Sequence, residues 1–372
     1  EVIYQMLAPT AVILVLLLCC REGLGIPQAI VHIGPHKTAS TYIQSVLLSL
    51  TKELANVNYY WPTRTNGSPM GTKDTANFAL ALRSLQISNP AGEISNMASF
   101  FNSSLHQNRN IILSSEEFDD MNVTQVATLK NHLQGFNVTI VFVYREFLAQ
   151  LISLHFELHR VEHAQFSKSF SGFLFGIMNN LPLNVRPIDI LKNFGAVFGV
   201  GNIRIIDMLG AEAAKEDLAH ILLCKIGGIL CGHKQFSHVH RPNSAYSLIP
   251  AQMFSFYKSY VYLQHNGTCY FCGHVLPEYN QFAVRYKEHL KVHAAPEITV
   301  TKLSLLVPYS QQTDAILRDT YGTAILYGNL EANQQAMAKA QVQEVDVEKF
   351  MTDLYWNQWL ESEYKAALAE KK

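Results

Sequence analysis

The stretch IVHIGPHKTASTYIQSVL, residues 30–47, decides how this chain is read. Ile30 to Ile33 reads as a buried strand, a Gly34-Pro35 turn follows, and Tyr42, Val46 and Leu47 recur beyond it at helical spacing. Strand, tight turn and helix N-terminus form an anion cradle, because the first N–H groups of a helix lack intrahelical partners and its dipole is positive there. Lys37 adds a full charge, while Thr38, Ser40 and Thr41 add hydroxyl donors. A phosphate or sulfate is the natural occupant; a capped helix with a surface lysine is the plainer alternative. Two residues separate Gly34 from Lys37, so the spacing is not that of Gly-x-x-x-x-Gly-Lys-Ser/Thr, and a nucleoside triphosphate site is disfavoured. Ala39 is tolerable in this turn only with a negative φ.

Working outward, further β-branched and apolar runs at Val57–Trp61, Asn110–Leu113, Val138–Tyr144 and Ile203–Ile206 join Ala29–Ile33 as strand candidates. Between them, three- and four-residue apolar spacing predicts helices over Thr41–Leu54, Thr75–Leu85, Val123–Leu133, Glu146–His159 and Ala213–Cys224. Such alternation implies an α/β fold: a mostly parallel central sheet with helices on both faces. From about residue 245 the pattern turns helical, over Leu248–Leu263, Tyr279–His293, Asp314–Tyr321 and Val347–Leu368, with Ala295-Pro296 and Val307-Pro308 marking turns. In the last of these helices, Phe350, Leu354, Tyr355 and Trp359 form the apolar stripe of a C-terminal covering layer.

The Lys37-Thr38-Ala39-Ser40-Thr41 turn resembles the 5′-phosphosulfate loop of the sulfotransferases that use 3′-phosphoadenosine-5′-phosphosulfate (PAPS). Ala39 stands where most members have glycine. A second block fits the same resemblance: the strand Val138–Tyr144 ends at Arg145, and Ser153 follows eight residues later, the family's spacing for its 3′-phosphate site. The usual Asp-Pro after the arginine is replaced by Glu146-Phe147. The family's third feature, a basic loop over the nucleotide, has only His240-Arg241-Pro242-Asn243-Ser244 as a nominee. The resemblance spans roughly residues 29–210 and implies a P-loop NTPase-like sulfotransferase fold. It implies PAPS as co-substrate, adenosine 3′,5′-bisphosphate as product, and binding by Gly34, Lys37, Thr38, Ala39, Ser40, Thr41, Arg145 and Ser153.

Sulfonate transfer also needs a base for the acceptor proton. Ser114-Ser115-Glu116-Glu117 ends a strand at the sheet's carboxyl edge, where open α/β folds bind ligands, so Glu116 is the first candidate and Glu117 the second. His36 and His155 are further proton-transfer candidates; for the glutamates, helix-start charge is the alternative explanation. Lys37 would stabilise the leaving phosphate. No metal is expected.

The chain has 372 residues, 48% hydrophobic and 16% charged, with a net charge of −1. These values exclude a disordered chain, a coiled coil and a collagen-like repeat, and give no bulk attraction for nucleic acid. Residues 1–25 carry the apolar run Ala11–Cys20 and read as a signal peptide or a signal-anchor, leaving 26–372 as a sulfotransferase-like domain. Five sequons, at Asn66, Asn102, Asn122, Asn137 and Asn266, agree with the secretory pathway, either the Golgi lumen with membrane anchoring or secretion. Beyond the leader, Cys224, Cys231, Cys269 and Cys272 read as two disulfides tying 224–274 together, with zinc as the alternative because Cys231-Gly232-His233 and Cys272-Gly273-His274 repeat a ligand-like unit. The acceptor expected in that compartment is a carbohydrate or other hydroxyl. The competing readings are a non-catalytic secreted glycoprotein on the same scaffold and a P-loop type small-molecule kinase.

Overall fold

The structure is a computed structural model that describes residues 25–62, 72–84, 88–161, 170–178, 186–233, 248–264, 279–302, 307–330, 333, 335 and 341–369. The apolar leader, Asn66, Asn266, Cys269, Cys272 and the basic loop 240–244 lie outside the described residues. Its strands in chain order are β1 (Gln28–His32), β2 (Tyr59–Tyr60), β3 (Asn110–Ser114), β4 (Asn137–Tyr144), β5 (Ile203–Asp207), β6 (Ile298–Lys302), β7 (Ile325–Leu326) and β8 (Gln341–Val345). The larger helices are α1 (Ser40–Ser49), α2 (Thr51–Asn56), α3 (Thr72–Leu82), α4 (Pro90–His106), α5 (Val123–His132), α6 (Phe147–Val161), α7 (Phe170–Met178), α8 (Pro187–Phe198), α9 (Met208–Ala213), α10 (Leu248–Gln264), α11 (Tyr279–His289), α12 (Val307–Tyr321), α13 (Val347–Thr352) and α14 (Leu354–Ala369).

Six strands form a parallel sheet in the order β2-β3-β1-β4-β5-β7. Their period of two sends alternate side chains to opposite faces. Val31, Leu113, Ile140 and Phe142 join one apolar cluster with Phe78 of α3, Phe101 of α4, Leu129 of α5 and Phe194 of α8. Ile30, Ile112, Val141 and Val143 join another with Ile43 and Leu47 of α1 and Leu54 of α2. Both faces are covered, which is why these strands read as continuous apolar runs rather than alternating ones. The α/β fold with helices on both faces is therefore as expected.

Several elements differ from expectation. The run predicted as one helix over Thr41–Leu54 breaks at Leu50, and the helix predicted over Ala213–Cys224 does not form as one piece. There Lys215 turns left-handed (φ 59°), and the Asp217 carboxylate accepts from Ala219 N and His220 N, starting a new turn in mid-run. Helices α4 and α8 were not anticipated, although each opens with proline at its first position. Val307-Pro308 opens α12 rather than marking a turn between elements. The C-terminal layer is not wholly helical: β6 and β8 pair antiparallel. Its last helix divides at Asp353, so Phe350, Trp356, Trp359 and Leu360 are buried, whereas Leu354 (71%) and Tyr355 (38%) are exposed.

Cys224 and Cys231 are disulfide-bonded with a Cα–Cα distance of 4.7 Å, so Cys231 is not a zinc ligand. The bond spans a sequence separation of 7 and closes a local loop rather than tying 224–274 together. Near the far edge of the sheet, Asp207 at the end of β5 accepts from Asn329 N and the Asn333 side chain, holding the segment after β7 against α9. Contact there is so close that a Cβ added at Gly210 would stand 1.9 Å from the Tyr327 carbonyl oxygen. Two backbones cannot both stay in place around a methyl group at that distance. Gly210→Ala should lower the unfolding free energy by about 3 kcal/mol in chemical denaturation, and an unchanged midpoint would contradict this packing.

Candidate functional site

From β1 the chain runs outward to β2 and returns through β3 on one side, then crosses to β4 on the other, so strand order reverses between β1 and β4. Crevices at the carboxyl ends of strands flanking such a switch point are where open α/β sheets bind ligands. Gly34–Ala39 leaves β1 at that point and Arg145 leaves β4 there. Strand-like pairing continues past β1, with Ile33 N donating to Val141 O and Val143 N to Gly34 O, each at 3.0 Å. The two predicted anion-binding blocks are thereby brought together: Arg145 Nη1 donates to the Lys37 carbonyl at 2.9 Å.

Within the loop, Gly34 has φ 82°, and a Cβ there would lie 3.0 Å from Glu116 Cα, so glycine is required both by conformation and by the close passage of the β3 exit. Lys37 (φ 67°) and Ala39 (φ 64°) are also left-handed, with Thr38 between them not so. Left-handed residues alternating with others are the backbone pattern from which the anion-binding concavities called nests are built, and the loop is called a nest below in that sense. The expectation of a negative φ at Ala39 is thus wrong: the residue sits in the left-handed region that its missing glycine would occupy freely, at a cost of about 1–2 kcal/mol. Ala39 is also the N-cap of α1 and supplies no side-chain acceptor, leaving the helix N-terminus uncapped by its own chain.

The side chains divide in role. Thr38, expected as a donor to a ligand, is fully buried and donates its hydroxyl proton to the Pro35 carbonyl at 2.5 Å. Thr41 is exposed. Ser40 Oγ and Arg145 Nε are buried and neither has a hydrogen-bond partner among the described residues. A buried polar atom left unpaired costs about 1–3 kcal/mol, so both atoms, one on the first residue of α1 and one on the arginine bonded to the loop, would gain from a ligand that accepts from them.

Helix α6 forms the opposite wall. Its Gln150 Nε2 donates to the His36 carbonyl at 3.4 Å, and its Glu157 pairs with Lys37, Oε2 to Nζ at 3.0 Å. Ser153 lies three residues after Gln150 and four before Glu157, so helical geometry puts it on the same face, toward the loop. His155 falls on the other face, fully buried against Phe170 and Phe173, and does not face the loop. Glu146 does a capping job: its Oε2 accepts from Ala149 N at 2.9 Å, while Ser310 donates to Oε1.

On the carboxylate side, Ser115 Oγ accepts from Glu117 N at 3.1 Å and caps a short turn over Glu116–Phe118. Glu117 is committed elsewhere, since Arg83 Nη1 donates to it at 2.8 Å while Nη2 reaches Asp120 at 2.7 Å. The half-buried Glu116 carboxylate has no hydrogen bond or ion pair among the described residues and remains available as an acceptor. His36 donates its backbone N–H to Asp119 Oδ2, and its ring Nδ1 meets the same oxygen, both at 2.8 Å. Burial alone disfavours the imidazolium. The Asp119 hydrogen bond and the charges of Asp119, Glu116 and Glu117 outweigh it, and the His36 pKa is pushed up to about 9. Asp119 is itself raised to about 6 by burial, in spite of His36. At neutral pH the pair is ionic, and His36 is a cation beside Glu116 rather than a group ready to take a proton.

Arg83, Asp119, Asp120, Glu157 and Ser310 were not foreseen from sequence. Only Asp119 and Asp120, close behind the Glu116-Glu117 pair, carried any local signal. Comparisons with family models, with curated proteins and with solved structures each found no match for this chain.

Replacing Ala39 by glycine should relieve the left-handed strain and raise the unfolding free energy by about 0.5–1 kcal/mol after the extra chain entropy of glycine is subtracted. Equal or lower stability would mean that the loop does not hold this conformation. The His36–Asp119 pair predicts a pH signature. A histidine whose folded pKa is raised contributes stability that is complete below its unfolded value near 6.5 and is lost as pH climbs through about 9. The difference in unfolding free energy between wild type and His36→Gln should therefore shrink between pH 6.5 and 9; a pH-independent difference would rule the ion pair out.

Proposed function

We propose that this chain is a PAPS-dependent sulfotransferase acting on a hydroxyl, with carbohydrate as the acceptor class. One observation supports the reading: at the switch point between β1 and β4 the Arg145 guanidinium is bonded to the Lys37 loop, and Ser40 Oγ and Arg145 Nε are buried with no hydrogen-bond partner among the described residues. Arginine suits a phosphate ester because its planar fork binds two oxygens at once. A carbohydrate acceptor, in the Golgi lumen or outside the cell, is supported by the apolar leader and the five sequons.

In this reading the loop amides and Lys37 hold the donor's 5′ end, and Arg145 with Ser153 takes the 3′-phosphate. The acceptor oxygen bonds to sulfur as the bond from sulfur to the 5′-phosphate oxygen breaks. The electron pair departs on that phosphate, where Lys37 and the nest stabilise it. The acceptor proton passes to Glu116, whose side chain has no hydrogen bond or ion pair among the described residues. Imidazolium His36 adds positive charge beside the base, and Arg83 keeps Glu117 out of the reaction.

Calorimetry with adenosine 3′,5′-bisphosphate tests the donor site. Lys37→Ala and Arg145→Ala should each weaken binding tenfold or more, roughly the 1.5–3 kcal/mol of a hydrogen bond to a charged group. Glu116→Gln should bind as wild type but transfer labelled sulfate to a polysaccharide panel about 10²–10⁴-fold more slowly. A wild-type chain that does not bind the bisphosphate would leave the non-catalytic scaffold as the better reading. Normal transfer by Glu116→Gln would overturn only the choice of base.

A further inference from the structure

The lysine of the nest is already engaged. Lys37 Nζ lies 3.0 Å from Glu157 Oε2, with about a fifth of each side chain exposed, so the contact is well shielded from solvent. Glu157 reaches it from α6, the helix that also holds the loop through Gln150 and follows directly on Arg145. Three points of attachment, Arg145 to the Lys37 carbonyl, Gln150 to the His36 carbonyl and Glu157 to the Lys37 ammonium, bind the nest to one helix and its leading strand. The first two grip backbone and leave side chains unaffected. The third occupies the group that an incoming anion needs.

Resting on the donor-site reading above, we propose that Glu157 is an internal counter-ion that competes with the donor's 5′ anionic end for Lys37, and so positions the ammonium and sets the affinity of the site. A cation this shielded would be costly without a partner, and the Glu157 carboxylate supplies one until the ligand arrives. On binding, Lys37 exchanges one anion for another. A ligand whose required partner is engaged nine-tenths of the time binds about tenfold more weakly than it would to the free group. The competition is felt only by ligands that carry an anionic group to Lys37. A ligand with a 3′-phosphate and no 5′ anion reaches Arg145 and Ser153 without contest from Glu157. Glu157 thus favours ligands with enough charge at the 5′ end to displace it.

The test is a four-variant binding cycle on the full chain: wild type, Glu157→Gln, Lys37→Ala, and the double variant, each titrated with adenosine 3′,5′-bisphosphate and with adenosine 3′-monophosphate. Glu157→Gln should bind the bisphosphate about tenfold more tightly and the monophosphate unchanged, a gain that simple structural damage would not give. In the Lys37→Ala background the same substitution should bring no gain, because the competition has lost its object. Glu157→Asp keeps the charge but shortens the reach, and should shift affinity in the same direction as glutamine; it also serves if the glutamine variant does not fold. Unchanged or weaker binding by both Glu157 variants overturns the proposal, as does an equal gain in the Lys37→Ala background, which would make Glu157 a source of plain repulsion. If wild type binds the bisphosphate and Lys37→Ala does not, while Glu157→Gln equals wild type, the donor site stands and the competition falls. If wild type binds neither nucleotide, both fall together.

Discussion

The hydrogen bond from Arg145 to the Lys37 carbonyl is the contact on which the site depends. It joins the exits of two adjacent parallel strands, so the pairing of β1 with β4 and the conformation of the nest are settled together. A loop with left-handed residues at Gly34, Lys37 and Ala39 would not hold its shape unaided, since two of the three carry side chains that disfavour it. Such strain persists where surrounding structure over-determines it, and here the guanidinium, Gln150 and the Glu116 backbone all press on the same six residues. The uncapped N-terminus of α1 follows from the same arrangement: the residue that would ordinarily cap it is Ala39, whose place in the nest matters more than its capping ability.

Charge is distributed around the loop rather than within it. On one side His36, Asp119, Glu117, Arg83 and Asp120 form a chain of opposite charges reaching from the loop to α3 and the β3 exit. On the other, Lys37 and Glu157 join the loop to α6. These contacts pair Glu117, Asp119, Asp120 and Glu157 with cations and leave the Glu116 side chain with no hydrogen bond or ion pair among the described residues. The difference in pairing between Glu116 and Glu117, adjacent in sequence and alike in chemistry, is made by Arg83, more than thirty residues upstream.

What could be read from sequence was what depends on neighbours in the chain. Val138–Tyr144 and Ala29–Ile33 stood out because strands buried on both faces must be apolar throughout, and the structure places both in the middle of the sheet. Ile325–Leu326 could not stand out, being two residues long with no pattern to detect. Helix α4 carried a start signal in Asn89-Pro90, yet its serines and asparagines blurred the apolar period, and only Met97, Phe101 and Ser104 are buried. For the site, the Lys37 and Arg145 blocks were legible as motifs on identifiable elements. Glu157, on α6, and Arg83, just past the end of α3, were not, because in sequence they look like ordinary solvated charges, and only the tertiary fold brings Glu157 to the loop and Arg83 to Glu117. Ala39 departs from its local steric preference for the same reason: distant contacts decide the conformation of the loop.

The mutual grip of β4 and α12 bears on how the molecule is put together. Tyr144 donates to Asp314 and Ser310 donates to Glu146, all four residues buried, so the strand and helix that carry Arg145 are fastened to a segment more than 160 positions downstream. Burial raises the pKa of both Tyr144 and Glu146, which shows how little water could replace those partners. The change of texture near residue 245 looks in sequence like a seam at which the chain could be divided. Cutting there would strip a buried phenol and a buried carboxylate on either side of Arg145 of groups that satisfy them, so the sheet-bearing half and the helical remainder are parts of one cooperative unit.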